Sequence, residues 1–422
     1  MPRIKFVHTA DLHIDTPFKG LSQVNDDLAN RLKDATMESF RNLVDLCLHE
    51  QVDFLLIAGD VFDSDLQSLS AQLKVGAELK KLSDNAIPVY LVCGNHDPLG
   101  SWMEAHSLPQ KVHRFGAAQV EKVTFGKGGV PLTDIYGVSY DQKFLNQNLA
   151  KLFRKVESQT PFSIALLHGT IGDAGPHENY APFKIEDILS KGFDYWALGH
   201  IHKSHIVREA YPAVAYPGNP QGRDFGETGR RGCFLVEMET GQKPVLQFCA
   251  TDTIRFEYVE LNLSNVESLD EMLNKLQVAS EQIDYYDEQC SYILRVRLTG
   301  RTVLHHHLQQ PGEIEQIAGL LNQGRLSDSP FTWIDRIEVE TMPQINQDQI
   351  RKSGDFTAQV WKAFEILEND HQALEQVFKT LANGFNSQHA IRELGPLGED
   401  EKQEILQKAR WMLLDQLMSE DK

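Results

Sequence analysis

Residues 53–63 read Asp-Phe-Leu-Leu-Ile-Ala-Gly-Asp-Val-Phe-Asp. The run Asp53–Ala58 is apolar, too short for a helix, and closed by Gly59, which is how a buried strand ends. A polar cluster, Gly59-Asp60-Val-Phe-Asp63, follows at once. The same grammar recurs four times. Ile4–Thr9 is followed by Asp11-Leu-His13, and Ile87–Cys93 by Gly94-Asn95-His96-Asp97. Ser163–Leu167 is followed by His168-Gly169, and Tyr195–Leu198 by Gly199-His200-Ile-His202.

Helical stretches separate the first three strands. In Leu28–Glu50, the residues Leu32, Ala35, Phe40, Leu43, Val44, Cys47 and Leu48 recur at helical spacing. Ser68–Ser83 does the same with Ala71, Leu73, Val75, Leu79 and Leu82. Strand–helix–strand repetition predicts an α/β core with right-handed crossovers. In an open parallel sheet, loops at the carboxyl ends of strands share one edge. The five polar clusters are therefore expected to converge, with the glycines before Asp60, Asn95 and His200 serving tight turns.

The converging set is Asp, His, Asp, Asn and three His. Carboxylate, imidazole and amide oxygen together suit Mn²⁺, Fe²⁺ or Zn²⁺ better than Mg²⁺. Seven ligands are too many for one ion and suit two that share a bridging carboxylate. Such pairs clamp the attacking water and the leaving oxygen in phosphoryl displacement. Each motif alone is weak, since a single His after a strand is usually structural. Five in order at five strand ends are not.

The ordered set Asp-x-His, Gly-Asp-x-x-Asp, Gly-Asn-His-Asp, His-Gly, Gly-His-x-His resembles the calcineurin-like metallophosphoesterases. Within them it is most similar to the SbcD-type DNA exonucleases, in the YhaO-like branch. Thr9-Ala10-Asp11-Leu12-His13, Ala58–Asp63 and Tyr216-Pro217-Gly218-Asn219-Pro220 carry the finer match. The resemblance covers residues 1 to about 250 and, beyond that, only the layout. It implies an α/β fold: a metallophosphoesterase core of central β-sheets flanked by helices, a small α/β cap and a C-terminal helical segment. It also implies that Asp11, His13 and His202 hold one metal, Asn95, His168 and His200 the other, and that Asp60 bridges. His96 would assist the leaving oxygen, with Asp97 orienting it or a neighbouring turn. Some relatives carry a His where this chain has Asp63, and a carboxylate there repels phosphate unless paired, so Asp63 is read as structural or supporting.

The 422 residues carry 41 basic and 60 acidic side chains, a net charge of −19, which excludes a simple basic nucleic-acid-binding module. Residues 1–250 account for only −5 of this and residues 251–422 for −14, so an anionic substrate is expected at the N-terminal half. Arg223 and Lys203, with Arg230 and Arg231, are candidate phosphate contacts or plain surface charges. His305-His306-His307 reads as an exposed loop and His177 as a surface residue. The five cysteines form no CxxC pair and suit a reducing compartment. With no signal peptide and no apolar run of roughly 18 residues, the chain is expected in the cytoplasm, away from membranes.

Three domains are expected: 1–250 (nuclease), 251–341 (an α/β cap with β-α-β-α-β order) and 342–422 (helical). Phe356, Val360, Phe364, Leu367, His371, Leu374, Phe378 and Leu381 lie at heptad-like spacing, and Gly395–Gly398 ends that seam before a helix at about Asp400–Met418. The resemblance implies that these helices dock an SbcC-like coiled-coil ATPase and that the chain is a homodimer. The expected function is a Mn²⁺-dependent DNA nuclease of repair, exonuclease or endonuclease. The alternative is a phosphoesterase of small phosphodiesters, nucleotides or phosphoproteins, which the acidic charge favours.

Overall fold

A computed structural model describes residues 1–16, 26–63, 68–101, 108–172, 180–284, 289–344, 347–384 and 398–419. His177 and Gly395–Leu397 lie outside the described residues. The expected strands appear as β1 (Arg3–Thr9), β2 (Phe54–Ala58) and β3 (Val89–Val92), separated by α1 (Asp26–His49) and α2 (Leu69–Asp84). Ser68 caps α2, its side chain accepting from the Ala71 N–H. Short strands β4 (Val112–Arg114), β5 (Glu121–Lys127) and β6 (Val130–Val138) precede β7 (Phe162–His168) and β8 (Tyr195–Gly199). Strands β9 (His205–Arg208), β10 (Ala213–Tyr216), β11 (Gly232–Glu239) and β12 (Val245–Ala250) follow.

The five motif-bearing strands do not share one sheet. The first six-stranded sheet has the order β12-β11-β1-β2-β3-β4, and the second β5-β6-β7-β8-β10-β9. Strands β1 to β4 run parallel, as do β6, β7, β8 and β10, while β5, β9, β11 and β12 pair antiparallel. The apolar runs show why. All five residues of β2 are buried, and its two faces bury differently. Phe54, Leu56 and Ala58 pack toward the second sheet with Phe6, Phe125, Ile164, Leu166 and Tyr195. Leu55 and Ile57 pack against Phe40, Val44, Val75 and Leu79 of α1 and α2. A strand covered on both faces reads as a continuous apolar run, whether the cover is helix or sheet. The sequence pattern alone cannot separate those cases.

Phe6 stacks on Phe54 at 4.9 Å and meets Tyr195 edge-on at 5.4 Å, joining the two sheets. His8 adds a buried polar strut between them. Its Nε2–H donates to the Leu198 carbonyl (3.2 Å), so its Nδ1 accepts from the Tyr195 hydroxyl (2.9 Å). Burial lowers its pKa to about 3, against the opposing pull of the Leu198 bond, so the ring is neutral.

The chain divides into two compact units. One is Met1–Val259, Val278–Arg295 and Ala318–Arg336; the other is Glu260–Gln277, Val296–Ile317 and Ile337–Lys422. The segment 251–341 is thus shared between them. It contains β13 (Ile254–Asn262), β14 (Ser291–Thr302) and β15 (Thr332–Pro343), which form a third sheet in that order. The helices Leu269–Asp284 and Glu313–Asn322 lie between them in the chain. His305–Leu308 is one helical turn rather than a loop, and His307 has an acidic neighbour, with its Nε2 2.9 Å from Glu313.

The C-terminal seam is not one helix. Phe356–Asn369 ends at Asp370, whose carboxylate accepts from the N–H groups of Gln372 and Ala373 and starts a second helix, His371–Gly384. Heptad spacing across the break therefore no longer describes one face. Leu374 is buried, but Phe356 and Leu381 are exposed. The second unit instead buries Trp361 with Ile350 and Leu414. Arg410 lies over the rings of Trp361 and Trp411, and Arg301 pairs with Asp415 at 2.8 Å.

Candidate metal centre

All seven candidate ligands and His96 come from the first unit, and the loops that carry them are tied together by backbone bonds. The Asp11 N–H donates to the Gly59 carbonyl (3.0 Å) and the His13 N–H to that of Asp60 (3.1 Å). The His200 N–H lies 3.1 and 3.0 Å from the two Asp11 carboxylate oxygens. The His96 N–H donates to Asp60 (2.9 Å). Asp97 is a clamp. One carboxylate oxygen accepts from Gly94 N–H (3.0 Å), the other from Val61 N–H (2.9 Å), joining the loops after β2 and β3.

This convergence is bought with backbone strain. Asp11, His13, Asp60 and His200 have φ of 53°, 43°, 51° and 98°. Non-glycine residues rarely occupy this region, and such strain concentrates at functional sites. The glycines serve closeness more than turning. Gly59 has a φ of 97°, but Gly94 is needed because a Cβ there would lie 2.2 Å from Asp60 Oδ1 and 2.9 Å from His168 Cε1.

The donor chemistry fits cations. His168 Nδ1 lies 2.9 Å from the Ala58 carbonyl and must donate to it. In the neutral ring, Nε2 is then a lone pair. It faces Asn95 Oδ1 at 2.9 Å and Asp60 Oδ2 at 3.5 Å, both acceptors. His200 Nδ1 approaches the same Asn95 oxygen at 3.2 Å. The His168 lone pair set against the oxygens of Asn95 and Asp60 is an arrangement that a metal ion satisfies. Nearby, His13 Nε2 and His202 Nε2 are 3.2 Å apart, and His13 Nδ1 has no hydrogen-bond partner among the described residues. Asp11, His13 and His202 form one cluster of ligand atoms, and Asp11, Asp60 and His168 another. Burial raises the pKa of Asp11, while burial, aided by the charges of Arg223 and His202, holds that of His13 well below its ordinary value. Burial and the neighbouring Asp60 push Asp97 up to about 7.

His96 and Asp63 form a pair, with His96 Nδ1 3.0 Å from Asp63 Oδ1. Burial works to lower the His96 pKa, but the bond to Asp63 and the charges of Asp60 and Asp63 outweigh it and raise the value. Asp63 is drawn down in turn, chiefly by the His96 bond.

Of the basic candidates, Arg223 reaches the centre, its Nη2 lying 3.0 Å from His202 Nδ1. Lys203 is exposed on the surface. Arg231 is neither a surface charge nor a free phosphate contact. It is buried, and its guanidinium donates to the carbonyls of His202, Glu227 and Thr228. Sequence reasoning missed Glu227, whose Oε1 is 2.7 Å from His202 Nδ1. It lies 25 residues along the chain from His202 in a loop without a motif, so no spacing rule marks it. Tyr140 was also missed; its hydroxyl donates to the His168 carbonyl at 3.0 Å.

Residues 4–204 match the family described as calcineurin-like phosphoesterase, and residues 256–342 match the middle domain of metallophosphoesterase YhaO. The chain is 34% identical over 345 residues to the uncharacterized metallophosphoesterase YhaO of Bacillus subtilis, covering 81% of this chain and 83% of that one. It is 26% identical over 328 residues to the DNA double-strand break repair protein Mre11 of Sulfurisphaera tokodaii, covering 75% and 78%. To a component of the nuclease SbcCD of Bacillus subtilis it is 22% identical over 279 residues, covering 58% and 68%.

Proposed function

The chain belongs to the calcineurin-like phosphoesterase family, and from that premise we propose that it is a two-metal phosphodiesterase whose substrate is DNA. The observation that carries the hydrolytic reading is the His168 lone pair converging on the oxygens of Asn95 and Asp60. Asp11, His13 and His202 would hold one cation, and Asn95, His168 and His200 the other, with Asp60 between them. When bound there, two divalent cations, Mn²⁺ in our reading, would supply the Lewis acidity for attack on the phosphate and neutralise its charge.

The protein's own groups do the rest. Asp63 takes the His96 Nδ1–H and leaves Nε2 as the ring nitrogen available to substrate. The raised pKa of His96 keeps the ring protonated closer to neutral pH, as a group that protonates the leaving oxygen must be. Paired in this way, Asp63 supports catalysis where a bare carboxylate would repel phosphate. Asp97 holds the two loops that present Asp60, Asn95 and His96.

The DNA reading is supported by the likeness to Mre11, a DNA double-strand break repair protein, and to a component of the nuclease SbcCD, and so is a role in repair. Docking of an SbcC-like coiled-coil ATPase is supported by the exposed apolar side chains of the C-terminal helices, among them Phe356, Ile366 and Met412. A homodimer belongs to the same proposal. Among the described residues no helix is long and apolar enough to cross a membrane. The net charge of −19 favours the second reading, a small phosphodiester substrate, because long DNA contacts need neutralised phosphates. End-labelled linear duplex DNA offered beside bis-p-nitrophenyl phosphate separates the two. Cleavage of DNA supports the first reading, and hydrolysis of the small diester alone supports the second.

A further inference from the structure

We propose that Glu227 is a positioning residue that couples one metal-holding imidazole to the arginine best placed for substrate phosphate. The inference rests on the two-metal reading above and deepens it.

Both oxygens of this one carboxylate are in use. Oε1 lies 2.7 Å from His202 Nδ1 and 2.8 Å from Arg223 Nη2. Oε2 accepts from the Arg223 backbone N–H at 2.9 Å, from Asn219 Nδ2 at 2.8 Å and, more weakly, from Arg223 Nε at 3.3 Å. The side chain is only 12% exposed, so these partners are not exchanged freely for water. The surrounding loop is braced from several sides. Asn219 N–H and Arg231 Nη1 both donate to the His202 carbonyl (3.2 and 2.6 Å). Phe225 is buried with Leu28, Ile254 and Phe256, and the Arg295 guanidinium lies 3.9 Å above its ring.

The consequence for His202 is a fixed tautomer. Nδ1 lies 3.0 Å from Arg223 Nη2 and 2.7 Å from the Glu227 carboxylate; the carboxylate is the nearer and takes the Nδ1–H, which puts the lone pair on Nε2, the nitrogen that faces His13. A carboxylate behind an imidazole orients the ring and raises its basicity toward a metal. The consequence for Arg223 is a fixed fork. Nε and Nη2 are held by Glu227, and Nη1 has no hydrogen bond among the described residues, which leaves it for a phosphate oxygen. Replacing Glu227 by Gln removes the negative charge behind the imidazole and sets an amide donor against the donors at one of the two oxygen positions, so the charge on both links is lost and one set of bonds is broken.

The test uses the full chain and Mn²⁺ alone as the metal probe. Titration calorimetry counts the sites, and bis-p-nitrophenyl phosphate hydrolysis separates KM from kcat. For E227Q, one of two Mn²⁺ sites weakens by about 10- to 100-fold, KM rises, and kcat recovers at saturating metal. R223Q raises KM but leaves both Mn²⁺ affinities within about twofold. Should E227Q fail to fold, E227D, whose carboxylate is drawn back by one methylene, reports the same one-site weakening. Wild-type Mn²⁺ affinity at both sites in a folded Glu227 variant overturns the proposal. A parent chain that binds fewer than two Mn²⁺ overturns the two-metal reading, and this inference with it.

Discussion

His96 Nδ1 lies 3.0 Å from Asp63 Oδ1, and the other oxygen of that carboxylate meets Thr16 Oγ1 at 3.4 Å. The pair sets both the tautomer and the charge of the ring. D63N removes the charge that raises the His96 pKa. A group that must donate a proton is active below its pKa, so the rate falls as pH rises through that value. In D63N this alkaline limb moves to lower pH, and kcat at neutral pH falls by about 10²-fold. A pH–rate profile on bis-p-nitrophenyl phosphate checks it. An unmoved limb would mean that His96 is not the proton donor.

Gly94 has no room for a side chain. G94A places a methyl group against the Asp60 carboxylate and the His168 ring, at 2.2 and 2.9 Å before relaxation. We expect a loss of about 1–3 kcal/mol in stability and at least about 10²-fold in kcat/KM, as small displacements of catalytic groups cost that much. Denaturant melts and steady-state kinetics on the same preparation measure both. Unchanged kinetics would show that the Asp60–His168 spacing does not matter to the reaction.

Metal occupancy is also a stability measurement. In the buried cluster the His168 Nε2 lone pair faces Asn95 Oδ1 at 2.9 Å and Asp60 Oδ2 at 3.5 Å, an arrangement that costs stability until a cation enters. Mn²⁺ at 100 times its Kd adds about 2.7 kcal/mol per site, and EDTA removes it. Thermal melts with Mn²⁺ and with EDTA should therefore separate by several degrees. Coincident melts would mean that the cluster does not take up Mn²⁺ in the native state.

Much of this was legible in the sequence, and the exceptions have physical causes. β1, β2, β3, β7 and β8 were visible because apolar runs stop abruptly at Gly, Asp or His. Their division between two sheets was not, because burial under a helix and burial under a second sheet leave the same apolar pattern in Leu55 and Leu56. The candidate residues that sit directly after strands, Asp11 to His202, were legible for that reason, and the loops that carry them converge. Glu227 was not, since it is brought to His202 by a loop whose path depends on Phe225 packing and on Arg231. The C-terminal seam misled because Asp370 restarts the helix, a local capping event that heptad counting ignores. Trp361, off the seam, is buried, whereas Phe356 and Leu381, on it, are exposed.

The most direct test of the central claim is incubation of the full chain with Mn²⁺ and end-labelled linear duplex DNA, with H96A as the control. Degradation is expected to need the metal and to be lost in H96A while Mn²⁺ still binds. Cleavage by H96A at the parent rate, or intact DNA beside rapid hydrolysis of bis-p-nitrophenyl phosphate, would contradict it.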